Sequence, residues 1–157
     1  MEYAVDNLLV GRAGGREDSP ALVFIMTDGK SLESDKAVVM AAQRLQSTAA
    51  KVIALGITEQ VDAQQLRVVA GPDANVFLLS DFAGLNPGLI ATLGTDFACA
   101  EQSTTVEPPP CNPDVVVVLD VSGSVGQANF QLTIEFVKEI TAALPSKCSS
   151  SSSSYGW

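Results

Sequence analysis

Short apolar runs that alternate with amphipathic segments constrain the fold of this chain more than any other feature of its sequence. The runs have the length of buried strands, and they cover residues 21–26, 51–57, 75–81 and 115–119. The segments with helical spacing cover residues 2–10, 35–49, 62–70, 86–97 and 129–144. Strands that alternate with helices are typical of a parallel sheet covered on both faces, so the pattern predicts an α/β fold.

Each predicted helix has apolar residues spaced for one buried face. The expected inward residues are Val5, Leu8 and Leu9; Val38, Val39, Ala42 and Leu45; Leu66 and Val69; Leu89, Ile90, Leu93 and Phe97; and Phe130, Ile134, Val137, Ile140 and Leu144.

The composition changes sharply after the fourth predicted helix. Residues 99–113 are rich in proline and threonine and nearly free of apolar side chains, which indicates a linker. After this linker the strand-then-helix pattern starts again. Residues 146–157 include a serine run of low complexity, and we expect this tail to be disordered.

The most chemically distinctive loop follows the last predicted strand. Asp120, Ser122 and Ser124 alternate around Gly123, so a tight turn carries three hard oxygen ligands. In open parallel sheets, ligands bind at the carboxyl ends of the strands, and Asp28 follows another strand at the same edge. These four residues predict a Mg²⁺ site. The alternative is that the loop residues only turn the chain and cap the next helix.

Charge and composition exclude several other functions. The formal net charge is −9, which disfavours nucleic acid and anionic membranes as partners. The sequence contains no histidine, so Ser-His-Asp and Cys-His nucleophiles are impossible. It also lacks the glycine-rich dinucleotide loop, the P-loop and the nucleophile elbow. We therefore expect a binding protein and not an enzyme.

The segment "DVVVVLDVSGSVGQANFQLTIEFVKEI" resembles the start of a von Willebrand factor type A domain. It is similar to the first strand, the D-x-S-x-S metal-ion-dependent adhesion loop and the first helix of that family. "ALVFIMTDGKS", "KVIALGI" and "NVFLLSDF" resemble the fourth, fifth and sixth strands. The resemblance implies a Rossmann-like three-layer sandwich with a mainly parallel sheet, incomplete here because the segments matching the second and third strands are missing.

The resemblance also implies an unusual order of segments. Residues 1–98 correspond to the C-terminal part of one domain, and residues 114–145 to the N-terminal part of a second domain. If the two parts pair, the sheet order in family numbering becomes 1-4-5-6. Such a sheet leaves an open edge at the strand 115–119, which invites self-association. The break in pattern at the serine run also suggests a truncated or mispredicted gene product.

For the site, the resemblance implies that Ser122 and Ser124 ligate the cation directly. It implies that Asp120 and Asp28 act mainly through bound water. The family's site also uses a threonine that precedes the segment matching residues 2–10, and we expect this chain to lack it. Binding of Mg²⁺, or of Mn²⁺ or Ca²⁺ in its place, is therefore expected to be weak.

The cysteines bear on the cellular compartment. Cys99, Cys111 and Cys148 lie in or beside segments rich in proline, serine or threonine. We interpret them as disulfide cysteines of a secreted protein, at least one without its original partner. If the two parts pair, Cys99 and Cys111 are close enough in sequence to bridge each other.

Three functions remain open from the sequence. The first is an extracellular adhesion module whose bound cation accepts an acidic side chain of a protein ligand, such as collagen or another matrix protein. The second is a structural repeat fragment with an incomplete, non-functional metal site. The third, a metal-dependent phosphate-processing enzyme, fits least well because the loop has no second acidic residue and no nearby lysine.

Overall fold

A computed structural model describes residues 21–30, 34–48, 50–71, 75–97 and 114–143, without the side chains of residues 94–97. Within these ranges the strands are β1 (Ala21–Thr27), β2 (Lys51–Ile57), β3 (Val76–Leu79) and β4 (Asp114–Leu119). The α-helices in the same ranges are α1 (Asp35–Gln46), α2 (Ala63–Ala70), α3 (Pro87–Phe97) and α4 (Gly126–Ala143). A short 3₁₀ helix spans Phe82–Gly84 between β3 and α3.

The strands form one parallel sheet with the order β3-β2-β1-β4. The register places Val23 opposite Val116 and Val52. A strand from the end of the described chain therefore pairs with a strand from its beginning. This arrangement confirms the sheet order expected from the resemblance and the parallel α/β fold predicted from the alternating pattern.

The alternation of side chains along each strand supplies two cores, one on each face of the sheet. On one face, Val23 and Ile25 pack with buried residues of α1 and α2. On the other face, Phe24 packs with Leu93 of α3 and Phe136 of α4. The result is a three-layer sandwich, with two helices covering each side of the central sheet.

Polar side chains define where the helices begin. The hydroxyl of Ser34 accepts the N–H of Ala37 at the start of α1, and Asp62 accepts the N–H groups of Gln64 and Gln65 at the start of α2. These caps satisfy backbone donors that have no partner within a helix.

The first helix is shorter than predicted and buries a slightly different face. It ends at Gln46 instead of residue 49, because the hydroxyl of Thr48 donates to the carbonyl of Leu45 and closes a tight last turn. Val39 was expected to face inward, but it is 38% exposed, and Ala41 is buried in its place. Val38, Ala42 and Leu45 are buried as predicted.

The last helix also differs from the prediction. It begins at Gly126, three residues before residue 129, because the positive φ of Gly126 (68°) lets the chain turn directly into the helix. Thr133 and Phe136 are buried in addition to Ile140, whereas Ile134 is only half-buried. The buried arc is wider than a single stripe because α4 packs against α3 as well as the sheet.

Smaller differences concern element ends. The strand predicted over residues 75–81 covers only Val76–Leu79, because Asp81 instead caps the 3₁₀ helix through the N–H groups of Ala83 and Gly84. Helices α2 and α3 each begin one residue later than predicted, because Asp62 and Asn86 accept N–H groups of the first turn.

Several predictions fall outside the described residues. These are the helix at 2–10, the linker at 99–113, the tail at 146–157, the side chains of Phe97 and Leu144, and the cysteines Cys99, Cys111 and Cys148. Within the described ranges, no helix combines the length and apolar character needed to cross a membrane.

The position of β4 leaves one side of the sheet open among the described residues. β4 pairs with β1 on one side, and the structure describes no strand on its other side. Only Val116 of β4 is buried, whereas five consecutive residues of β1 are buried. The edge expected from the sequence is therefore apolar and partly exposed to solvent.

Candidate metal centre

The carboxyl ends of β1, β2 and β4 bring three loops together at one edge of the sheet. Asp120 continues the ladder beyond β4, because its N–H donates to the carbonyl of Met26 over 2.9 Å. The loop after β4 is thereby held beside the loop that carries Asp28. Adjacent parallel strands end at the same edge, which is why residues distant in sequence meet here.

The structure places all four predicted site residues in one hydrogen-bonded group. The hydroxyl oxygens of Ser122 and Ser124 lie 2.8 Å apart. The Ser124 hydroxyl also donates to Oδ1 of Asp28 over 3.1 Å, across a sequence separation of 96 residues. The backbone N–H of Ser122 donates to Oδ1 of Asp120 over 2.8 Å.

These bonds bear on the alternative that the loop residues only turn the chain. Asp120 does have a turn-forming role, because its carboxylate accepts the N–H of Ser122 two residues later. The Ser122 and Ser124 hydroxyls, however, bond each other, and the Ser124 hydroxyl also bonds Asp28. The Ser122 hydroxyl lowers the pKa of Asp120. Both hydroxyls thus face carboxylates of the site instead of capping α4.

Thr27 belongs to this group and was missed by the sequence reasoning. Its hydroxyl donates to Oδ2 of Asp120 over 2.7 Å. The signal was present in the sequence, because Thr27 ends the strand next to β4 in the expected sheet order. A polar side chain at the end of β1 is within reach of the loop that follows β4.

Thr58 is the second residue that the sequence reasoning missed. It follows β2, and its hydroxyl donates to the backbone carbonyl of Asp28 over 3.0 Å. Its φ angle of 83° lies in the left-handed region. Sequence alone gives no indication of this conformation, because β-branched residues rarely adopt it.

The two carboxylates of the group have different surroundings. Asp28 is only 5% exposed, whereas Asp120 is half-buried. Desolvation by burial is the largest influence on the pKa of Asp120 and raises it. Hydrogen bonds from the Ser122 N–H, the Thr27 and Ser122 hydroxyls and the Asp28 N–H together outweigh burial, so this pKa lies below its ordinary value. Asp120 is therefore ionised at neutral pH.

The atoms that could ligate a metal decide whether a divalent cation fits. All the side-chain ligand atoms are oxygens, and hard oxygen ligands suit Mg²⁺, Mn²⁺ and Ca²⁺. Adjacent ligands of an octahedral Mg²⁺ lie about 3.0 Å apart, given metal–oxygen distances of about 2.1 Å. The hydroxyl oxygens of Ser122 and Ser124, which bond each other over 2.8 Å, are close to this spacing and can reach one cation together. The residues present therefore fit the cation.

The acidic content of the centre is low. In the part of the chain that the structure describes, no group of three or more Asp, Glu, Cys or His side chains is placed to hold a metal ion. Two carboxylates and two hydroxyls would leave at least two of the six coordination positions of Mg²⁺ to water, which this ion commonly retains. This donor set does not fit zinc, which prefers nitrogen and sulfur ligands.

A cleft of about 430 Å³ opens beside the serine hydroxyls. It lies between the loops that follow β2 and β3 and the first turns of α4, and both Asp28 and Ser124 line it. The remaining lining residues are Thr58, Gln60, Asp81, Phe82, Ala83, Asn129 and Leu132. A group bound at the metal centre would thus be open to a second molecule approaching from this side.

Comparison with known proteins agrees with the fold. The profile of the von Willebrand factor type A domain family matches residues 1–90 and 114–156. The human collagen alpha-6(VI) chain is 29% identical over 126 residues, which cover 78% of this chain and 5% of the collagen chain. The mouse collagen alpha-5(VI) chain is 24% identical over 147 residues, covering 92% of this chain and 5% of that relative.

A third relative is not a collagen chain. The mouse von Willebrand factor A domain-containing protein 2 is 32% identical over 112 residues, covering 69% of this chain and 14% of the relative. This chain therefore spans only a small part of the length of the curated relatives that it matches. The match to the family profile covers most of the chain on both sides of residues 91–113, and the sheet has the family's expected strand order. The chain belongs to the von Willebrand factor type A domain family.

Proposed function

We propose that this chain is a divalent-cation-dependent protein-binding module of an extracellular matrix or adhesion protein. In this proposal Asp120, Ser122, Ser124 and Asp28 hold Mg²⁺, or Mn²⁺ or Ca²⁺ in its place. The observation that carries the proposal is the bond from Ser124 to Asp28, which joins two loops 96 residues apart.

Each side chain has a distinct part in the proposed site. The bound cation would supply positive charge to an acidic group of a protein ligand. Ser122 and Ser124 present neutral hydroxyl oxygens, so they add ligands without adding negative charge. Asp120, ionised and held by Thr27, orients the loop and supplies charge. Two carboxylates offset the formal charge of a divalent cation, so an acidic partner would be held at a coordination position that the four side chains leave open.

The names of two relatives support the matrix setting. Both are collagen VI chains, and the third is named for its von Willebrand factor A domain. We propose that the protein ligand is a matrix protein, with collagen as the first candidate, and that the parent protein is secreted. The sequence contains no histidine and lacks the common catalytic loops, which supports a binding role over a catalytic one.

The family match also supports a proposal for the organisation of the chain. Residues 1–98 would be the C-terminal part of one domain, residues 99–113 a linker, residues 114–145 the N-terminal part of a second domain, and residues 146–157 a tail. The pairing of β4 with β1 would then complete one sheet from two partial domains.

Titration calorimetry with Mn²⁺ and Mg²⁺ tests the proposed site. We expect saturable binding by the unaltered chain and a loss of affinity of about tenfold or more for Ser124→Ala. Ser80→Ala is the matched control, because Ser80 is also an exposed serine that follows a strand. Urea unfolding without metal shows whether both variants are folded. Equal affinity of the two variants would exclude Ser124 as a ligand.

Binding to immobilised collagen in Mg²⁺ and in EDTA tests the partner. Binding that disappears in EDTA and in Ser124→Ala supports the proposal, and binding unaffected by both contradicts it.

A structural role with an incomplete site is the second candidate function. The low number of carboxylates favours it, because no group of three or more acidic, Cys or His side chains is placed to hold a metal ion among the described residues. A folded chain that binds neither Mn²⁺ nor Mg²⁺ in the calorimeter would support this role and exclude the metal-dependent one.

A further inference from the structure

Thr58 has a backbone conformation that its own side chain disfavours. Its φ of 83° is the only positive φ of a non-glycine residue in the described ranges. A β-branched side chain is strained in this region, so interactions with its surroundings must hold Thr58 there. Such strained residues cluster at functional sites, and Thr58 lines the cleft beside Asp28 and Ser124.

Two bonds hold Thr58 between neighbouring strands. Its N–H donates to the carbonyl of Leu79 at the end of β3 over 2.9 Å. Its hydroxyl donates to the carbonyl of Asp28 beyond β1 over 3.0 Å. The strained turn thereby points the Thr58 hydroxyl away from its own strand and towards the backbone of Asp28.

Asp28 is held at its backbone carbonyl and at its carboxylate. The carbonyl accepts the Thr58 hydroxyl over 3.0 Å, and the carboxylate accepts the Ser124 hydroxyl over 3.1 Å. Hydrogen bonds therefore connect the carboxyl ends of the four described strands, from Leu79 through Thr58 and Asp28 to Ser124.

We propose that Thr58 is a positioning residue that fixes the backbone of Asp28, so that the Asp28 carboxylate faces Ser124. The proposal rests on the proposed cation site for its functional meaning, because a correctly placed Asp28 is needed to complete that site. Thr58 itself would not touch the cation. The strain at Thr58 is retained because glycine, which adopts this φ without strain, has no hydroxyl to donate.

The same hydroxyl also takes part in a local turn. The N–H of Gln60 donates to it over 3.3 Å. A purely local role would therefore affect the turn at Gln60 and leave Asp28 unchanged. The exchange rates of the two backbone amides, Asp28 and Gln60, separate these roles.

Two substitutions of Thr58 separate the effect of its hydroxyl from the effect of its backbone strain. Thr58→Gly removes the hydroxyl and relieves the strain, whereas Thr58→Ser keeps the hydroxyl and removes only the methyl group. We measure amide hydrogen exchange without metal, urea unfolding without metal, and Mn²⁺ affinity by calorimetry on the full chain.

We expect Thr58→Gly to be at least as stable as the unaltered chain, while its Asp28 amide exchanges faster and its Mn²⁺ affinity falls about tenfold. Thr58→Ser should keep the exchange rate of the Asp28 amide and the Mn²⁺ affinity within about twofold of the values for the unaltered chain. A stable variant with weakened binding is a result that a merely structural role of Thr58 would not produce.

The outcomes separate this inference from the proposed function. If the unaltered chain binds no Mn²⁺ but Thr58→Gly still speeds exchange at Asp28, the metal proposal fails and the positioning role stands. Unchanged exchange at Asp28 in Thr58→Gly overturns the positioning role, whether or not the chain binds metal. Equal loss of Mn²⁺ affinity in Thr58→Gly and Thr58→Ser also overturns it, because the hydroxyl would then not matter.

Discussion

The hydroxyl of Thr27 donates a hydrogen bond of 2.7 Å to Oδ2 of Asp120, across a sequence separation of 93 residues. The bond links the end of β1 to the loop after β4, at the point where those two strands stop pairing. It connects the sheet pairing to the candidate metal centre, because the residue that it holds is one of the two carboxylates of that centre.

Thr27→Val removes this donor while keeping the shape of the side chain. We expect the free energy of unfolding to fall by about 1.5 kcal/mol, because a hydrogen bond to an ionised group is lost. The pKa of Asp120 should rise, which carbon-detected NMR titration of its carboxyl group would show. Thr141→Val is the control, since Thr141 lies on the exposed side of α4 and its hydroxyl bonds only neutral backbone carbonyls. A larger loss of stability in the control than in Thr27→Val would contradict the assignment.

The pH dependence of stability follows from the lowered pKa of Asp120. Burial raises this pKa, but hydrogen bonds from Ser122, Thr27 and Asp28 lower it by a larger amount. The pKa of Asp120 therefore lies below its unfolded value of about 3.9. The folded state then binds fewer protons than the unfolded state. The stabilisation is present above about pH 4 and is lost as the pH falls through the folded pKa. Asp120→Asn should reduce this acid-dependent loss in urea unfolding measured between pH 6 and pH 3. Identical pH profiles for the two proteins would show that Asp120 does not titrate in this way.

Much of the fold follows from the sequence for physical reasons. Buried parallel strands need continuous apolar runs, and the run 51–57 matches β2 at both ends. Helix faces were less predictable, because spacing identifies a stripe but not its width. Phe136 was missed for this reason, since α4 packs on both the sheet and α3.

The candidate site was predictable only in part. Asp28, Ser122 and Ser124 could be grouped from the sequence because strand ends of a parallel sheet share one edge. Thr58 could not be added, because its role depends on a backbone conformation that is atypical for threonine. The expected strand order already placed Thr27 beside the loop after β4, but the sequence did not show which side chain of that loop its hydroxyl would bond.

Gly56→Ala tests how closely α2 packs on the sheet. An added Cβ at Gly56 would lie 2.7 Å from Cδ1 of Leu66 and 3.0 Å from Cδ2 of Leu78. We expect a loss of about 1–3 kcal/mol in the free energy of unfolding, because the buried side chain of Leu66 must leave its preferred rotamer. Gly29→Ala is the matched control, since nothing lies within 4 Å of its added Cβ. Urea unfolding of both variants checks the prediction, and equal stability of the two would refute close packing at Gly56.

Phe136→Ala tests whether the part of the chain after residue 113 is integral to the fold. Phe136 is 2% exposed and belongs to the same core as Phe24 of β1. We expect a loss of about 3–5 kcal/mol, the usual cost of such a truncation in a core. Leu132→Ala on the same helix is the control, because Leu132 is 40% exposed. NMR should show that β1 and β2 lose stability together with α4. If β1 and β2 remained as stable as before, the two parts would fold independently.

Val118→Lys tests the open edge of the sheet at β4. Val118 is half-buried on a strand that pairs with β1 on one side and with no described strand on the other. A second copy of the chain could pair with this apolar edge, and a lysine there opposes strand addition. We expect the unaltered chain to self-associate with rising concentration in analytical ultracentrifugation. Association should strengthen with salt, because the net charge of −9 repels a second copy.

The lysine variant should remain monomeric over the same concentration range. Val39→Lys is the matched control, because it makes the same change at a partly exposed valine on α1, away from the sheet edge. Association that persists in Val118→Lys but disappears in Val39→Lys would place the contact on α1 instead of β4. A monomeric unaltered chain at all concentrations would mean that the edge is protected, and hydrogen exchange of the β4 amides would then be slow on both sides of the strand.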